Sequence, residues 1–264
     1  MMMDTREGRT AQALARSCTY RFLSTLFVYP DDAAYAAVQG ELTRATARSL
    51  ALLRWEVSAF AALQEILRHT SREQLEAAHV AVFGHTAAGK VCPYEARYGS
   101  HHLFQETECL ADVAGFYRAF SLEPATTCRE RPDHIAVELE FMHALGAKEA
   151  YALDEGWMER AEICREAQVQ FLRDHLGRWA PSFLDRLATV ADGGTFAPVA
   201  TVTAACLTAD CHRLGVPVGP GELEPSAAAC EPEGSSFTCG AGVTAVGMPA
   251  DAVPQSMRSK EEVE

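Results

Sequence analysis

The chain has 264 residues, 48% of them hydrophobic and 22% charged, the make-up of a globular protein able to bury one large core or two small ones. Its 23 Lys+Arg against 36 Asp+Glu leave a formal charge of −13, so the average surface repels phosphate backbones, which excludes nucleic acid and favours a basic peptide or protein as partner. Residues 1–18 have mixed charge and no apolar h-region, and the longest weakly polar run, Thr195 to Ala209, holds four threonines and falls short of the ~20 apolar residues of a membrane helix; a cytoplasmic protein with no secretory signal is expected.

In chain order, Arg9 to Tyr29 places Leu14, Tyr20, Phe22, Leu23, Leu26 and Phe27 at helical spacing and ends at Pro30;. Ala33 to Arg48 and Leu50 to His69 are Ala/Leu-rich and predict two more helices. Ser71 followed by Gln74 reads as a capping box for a helix running to Gly84. His85 to Gly99 has no helical period and reads as a loop, of the kind that carries function. Ser100 to Phe120 carries two adjacent apolar stripes and is expected in the middle of a bundle. After the connector Ser121 to Arg131, Pro132 is expected at the first helical position, with Asp133 and His134 in the first turn of the next helix. That helix carries Ile135, Leu139 and Met142 beside Val137, Phe141 and Ala144, and is also expected to be central. Glu155 to Trp179, Pro181 to Ala191 and Pro198 to Leu214 complete the set. The expectation is an all-α fold, a single bundle of eight or nine helices spanning residues 1–218. From Gly219 on, the last 46 residues hold five of the twelve prolines and six of the eighteen glycines, so residues 219–264 are expected to form a flexible tail.

Several motifs carry candidate chemistry. Glu76/His79 and Glu140/His143 have the Glu-x-x-His spacing of di-iron carboxylate bundles, with Glu106 or Glu108 and Glu162 or Glu166 as further donors; this supports an alternative reading as an oxidoreductase. The nine cysteines read as reduced thiols, and Cys206, Cys211, Cys230 and Cys239 match no standard metal-ligand spacing. Gly84 to Val91 departs from the phosphate-binding loop pattern. No cofactor or metal is expected. From His101 to Asp174 fifteen acids face seven bases, which beside the aromatic loop at Tyr94 and Tyr98 describes a groove apolar at its base and acidic at its rim. Such a groove suits arginines followed by an apolar stretch.

The run Glu130-Arg131-Pro132-Asp133-His134 resembles the Glu-x-Pro-x-Asp-His signature of the TorD family of molybdoenzyme chaperones, one residue shorter between Pro and Asp. CPYEARYG and FQETECLADVAGFYRAFSLE also look like this family, in the branch serving enzymes of the dimethyl sulfoxide reductase type. The likeness spans roughly Arg9 to Leu214. It implies an all-helical fold without turnover. It also implies binding of a twin-arginine signal peptide and of the cofactor-free catalytic subunit of a molybdenum enzyme until the cofactor is inserted, which prevents premature export. Glu130, Pro132, Asp133 and His134 would line the peptide site, with Pro93, Tyr94 and Tyr98 beside it. The molecule would be a monomer or a domain-swapped dimer hinged at the connector.

Overall fold

The computed structural model describes residues 5–41, 49, 53, 57–84, 90–99, 105–123, 130–191, 193–220, 223 and 225. Most of the expected tail, the middle of the connector, residues 85–89, Cys128, Cys230 and Cys239 lie outside the described residues. Among the described residues are nine α-helices and no strand: α1 (Arg6–Thr25), α2 (Asp32–Glu41), α3 (Val57–His69), α4 (Arg72–Phe83), α5 (Gln105–Ala119), α6 (Ile135–Asp154), α7 (Met158–Asp174), α8 (Leu176–Val190) and α9 (Phe196–Leu214), with a short 3₁₀ turn at Glu95–Arg97.

The centre of the fold is α6. Ile135, Leu139, Met142 and Leu145 are fully enclosed, each worth about 1.5–3 kcal/mol of burial. α1 lies along α6 and α7 flanks it, while α8 and α9 pair with each other. The approach of α1 to α6 needs Gly146, where a Cβ would stand 3.1 Å from that of Ser17.

A buried ionic network ties four helices together. Arg16 on α1 donates from Nε to Asp210 Oδ1 at 2.6 Å and from Nη2 to Oδ2 at 2.9 Å, while the Tyr20 hydroxyl donates to the same Oδ2 at 2.8 Å. Arg16 Nη1 also reaches Glu149 of α6 at 3.3 Å, and Gln168 of α7 donates to that carboxylate at 2.8 Å. A carboxylate and guanidinium this deeply buried persist because they pair with each other in a bidentate geometry and share further hydrogen bonds with Tyr20, Glu149 and Gln168;.

The local signals behaved unevenly. The capping box is present as expected: the Ser71 hydroxyl accepts from the Gln74 N–H and the Gln74 side chain accepts from the Ser71 N–H. The expected break at Trp179–Pro181 lies instead at His175, and Pro181 sits inside α8. A proline there leaves the carbonyl four residues back without its donor, and Gly219 repairs this by donating its N–H to Gly177 O at 3.0 Å. Gly219 passes so close to α8 that a Cβ would meet Arg178 O at 2.3 Å. Beyond it, the Ser182 hydroxyl donates to Pro220 O at 2.9 Å and accepts from the Leu223 N–H at 3.0 Å. α5 was expected to be central, yet of its described side chains only Val113 and Tyr117 are buried, and its second stripe, Cys109 and Phe116, is only partly covered.

Candidate functional site

The segments 90–99 and 130–134 meet ahead of α6 through backbone hydrogen bonds. Ile135 N–H donates to Pro93 O at 2.9 Å and Glu95 N–H to Asp133 O at 2.9 Å, which sets Tyr94 antiparallel to His134. The Tyr117 hydroxyl of α5 donates to Pro132 O at 2.7 Å. The loop is therefore held from three sides.

This arrangement corrects the expected helix start. Pro132 stands in a turn before the helix, His134 is the N-cap, and α6 begins at Ile135. His134 Nδ1 accepts the Ala136 N–H at 3.2 Å, so the ring must be neutral at that nitrogen, and burial holds its pKa down to about 3. Asp133 does not cap the helix. Its carboxylate, 0% exposed, takes Arg131 Nε and Nη2 in a bidentate pair at 2.9 Å each, plus the Ala96 N–H at 3.2 Å. Arg131 continues to Glu106 at 2.6 Å and lies 5.0 Å from the Tyr94 ring centre.

The remaining residues of the expected site divide in two. Pro93 and Tyr98 are buried, and Tyr98 donates to Cys92 O at 2.9 Å with its ring 5.2 Å from Trp179. Tyr94 is half-buried and donates to Glu130 Oε2 at 2.9 Å, and burial followed by that carboxylate raises the Tyr94 pKa. The Tyr94 ring meets His134 edge-on at 5.1 Å. Glu130 alone of the signature carboxylates reaches an open cavity.

That cavity, of about 400 Å³, is lined by Arg21, Ser24, Thr25 and Val28 at the end of α1, by Glu130, and by Ala136, Val137, Glu140 and His143 on α6. The spacing explains the lining: 136, 140 and 143 share one face of α6, and 21, 24, 25 and 28 fall on one face of α1 and its continuation. Val28, Ala136 and Val137 supply an apolar floor. Glu130 and Glu140 supply two carboxylates against one guanidinium, Arg21. Glu140 is exposed and has no ion pair or hydrogen bond among the described residues. In the sequence, Glu140 stood out as a metal ligand and as one of the fifteen rim acids and His143 as a metal ligand, while the groove residues of α1 did not stand out at all.

Behind the loop lies a second polar cluster that sequence reasoning missed. Glu95 is enclosed, with His175 Nδ1 donating to it at 3.0 Å and Arg178 at 3.3 Å, and the Trp179 indole N–H donates to Glu138 at 3.0 Å. Burial, then the facing Glu95 carboxylate, raises the Glu138 pKa well above the ordinary range. Glu138 is held by Trp179, and His134 by the Ala136 N–H, with no hydrogen bond between His134 and Glu138 among the described residues.

Three members of the two Glu-x-x-His pairs, Glu76, His79 and His143, are committed locally, while Glu140 is not. Glu76 accepts from Tyr29 and Arg72, while His79 is enclosed by Tyr29, Phe83 and Phe196. His143 Nδ1 faces the Ser17 hydroxyl at 2.8 Å. Among the described residues no three His, Cys, Asp or Glu side chains come together as a metal-holding group. Burial pushes the Cys206 and Cys211 thiols up to about 12, which leaves them protonated and unreactive. No helix among the described residues is long and apolar enough to cross a membrane.

The described residues thus form a helical bundle with an apolar-floored, acid-rimmed groove between α1 and α6. Residues 52–185 match the family model described as nitrate reductase delta subunit. The chain is 32% identical over 174 residues to the selenate reductase assembly chaperone of Thauera selenatis, covering 64% of this chain and 74% of that one. It is 30% identical over 179 residues to the perchlorate reductase assembly chaperone of Dechloromonas aromatica, covering 66% and 78%. It is 29% identical over 149 residues to the chaperone protein TorD of Photobacterium profundum, covering 56% and 68%. The chain belongs to the TorD family of molybdoenzyme maturation chaperones, whose members are assembly factors and not catalysts.

Proposed function

We propose that this chaperone acts in the cytoplasm, binding the twin-arginine signal peptide and the cofactor-free catalytic subunit of a molybdenum reductase, and holding both until the cofactor is inserted. The observation that carries this reading is the groove between α1 and α6, where Glu130 and Glu140 stand over Val28, Ala136 and Val137. Carboxylates pair with guanidinium in two parallel hydrogen bonds, and the floor accepts the aliphatic side chains that follow the arginines in such a peptide. The relatives named for selenate and perchlorate reductase assembly point to a client of the same enzyme class.

Within the signature, Glu130 contacts the peptide and Tyr94 orients Glu130 through its hydroxyl. Asp133 and Arg131 hold the loop from behind, His134 caps α6, and Pro93 and Tyr98 fix the segment that carries Tyr94. The test is fluorescence anisotropy with a labelled twin-arginine peptide. Each charge-assisted hydrogen bond is worth about 1.5–3 kcal/mol, so Glu130→Gln and Glu140→Gln should each weaken binding roughly ten- to a hundredfold. Unchanged affinity in the folded double variant would remove the groove from the account.

A further inference from the structure

A second cavity, of about 360 Å³, opens between α1, α6, α7 and α9, and its lining has the opposite sign from the rest of the molecule. Four arginines contribute, Arg9, Arg16, Arg165 and Arg213, against the two carboxylates Glu149 and Glu162, with Gln12 alongside. In a chain of net charge −13 this concentration is local and runs against the average field.

The carboxylates are already taken. Glu149 receives Arg16 and Gln168, and Glu162 pairs with Arg165 at 3.4 Å. Arg16 itself is saturated by Asp210. Arg9 and Arg213 are left with no side-chain ion pair or hydrogen bond among the described residues. Ordinary helix electrostatics accounts for only one of them. Arg213 lies in the last turn of α9, where the dipole favours a cation, but Arg9 lies in the first turn of α1, where the dipole disfavours one. Two guanidiniums facing one cavity, one of them against its helix dipole, would be stabilised by an anion that bridges them.

The cavity sits at the small end of the ~300–1,000 Å³ range of small-molecule sites, too small for a folded segment. Guanidinium is the side chain matched to phosphate by its planar fork of donors. We infer that Arg9, Arg165 and Arg213 form a binding site for a small phosphate-bearing anion, floored by the Arg16–Asp210 pair. It uses the opposite end of the α1–α6 pair from the peptide groove: Glu149 is nine residues beyond Glu140, about 14 Å at the helical rise. The site does not depend on the peptide reading, and neither result bears on the other.

The test is isothermal titration of the full chain with inorganic pyrophosphate and, separately, with ADP, against sodium sulfate at matched ionic strength. Pyrophosphate is expected to bind with a one-to-one stoichiometry and at least tenfold more tightly than sulfate. Equal affinity for ADP and pyrophosphate assigns recognition to the phosphates, and tighter ADP binding adds nucleoside contacts; either supports the site. Arg9→Gln and Arg213→Gln should each lose about tenfold or more, and Arg213→Lys should recover part of that loss. Both side chains lie outside the core, so ligand-free melting temperatures of the variants should match the parent and separate binding from folding. Pyrophosphate binding no tighter than sulfate, or undiminished in the Arg9→Gln/Arg213→Gln double variant, overturns the inference.

Discussion

Replacing Asp133 by alanine separates two roles that a signature carboxylate can play. If Asp133 were the receptor for a peptide arginine, the variant would fold normally and bind poorly. The geometry assigns it differently: it is fully enclosed and accepts from Arg131 twice and from the Ala96 N–H once. Removing one partner of a buried pair costs about 3–5 kcal/mol, because the other charge is stranded. Here the stranded guanidinium keeps Glu106 at 2.6 Å and its side chain is 33% exposed, so water and Glu106 recover part of that loss and about 2–3 kcal/mol is expected. With a urea slope near 2 kcal/mol per molar, the unfolding midpoint should fall by roughly 1 M. The double variant with Arg131→Ala should be less destabilised than the sum of the two single changes, giving a coupling energy of about 1–3 kcal/mol. A midpoint within about 0.2 M of the parent, combined with lost peptide affinity, would refute the supporting role.

Other expectations follow from the buried polar groups. Asp210→Ala strands Arg16 and the Tyr20 hydroxyl and should cost about 3–5 kcal/mol, seen as a melting temperature lower by roughly 10 °C. Burial lowers His79 to about 4 and His134 to about 3, from 6.5; the unfolded chain takes up these protons first, so their contribution is complete above about pH 6.5 and is lost as pH falls towards the folded values. His79→Phe should flatten the stability profile between about pH 6 and 4; a slope equal to the parent's would discount His79. Glu138 acts in the opposite sense: its folded pKa is raised above 4.5, so its contribution is full below that value and is lost as pH rises through the folded value. Glu138→Gln should therefore be more stable than the parent near pH 8 and lose that advantage towards pH 4, as followed by urea midpoints.

Much of the architecture was legible because it depends on local periodicity. The two adjacent stripes on α6 required burial all round, and α6 is the centre; Ser71 and Gln74 announced a capping box, which formed. What failed depended on distant residues. Pro181 read as a helix start because nothing nearby could answer the Gly177 carbonyl, yet Gly219 answers it from beyond α9. The apolar stripes of α5 overstated its depth because side-chain type reports what can be buried, and not how many helices surround it. At the site, the segments were legible and the directions of the side chains were not. Asp133 was expected in the first turn of the helix and in the peptide site because its spacing fits both, whereas its carboxylate is taken by Arg131 two residues earlier and by the Ala96 N–H. Glu140 and Val137 belong to the groove only because the end of α1 lies against them, a contact across more than a hundred residues that no spacing encodes.

Site-specific photo-crosslinking tests most directly whether a twin-arginine signal peptide lies in the α1–α6 groove. A photoreactive residue placed at Val28 or Val137 on the groove floor, or at Leu214 beside the arginine cavity, would be irradiated with the client's twin-arginine peptide. Crosslinks are expected from Val28 and Val137, none from Leu214, and they should be lost when the two arginines are replaced by glutamine. Crosslinking from Leu214 with none from Val28 or Val137 would contradict that placement.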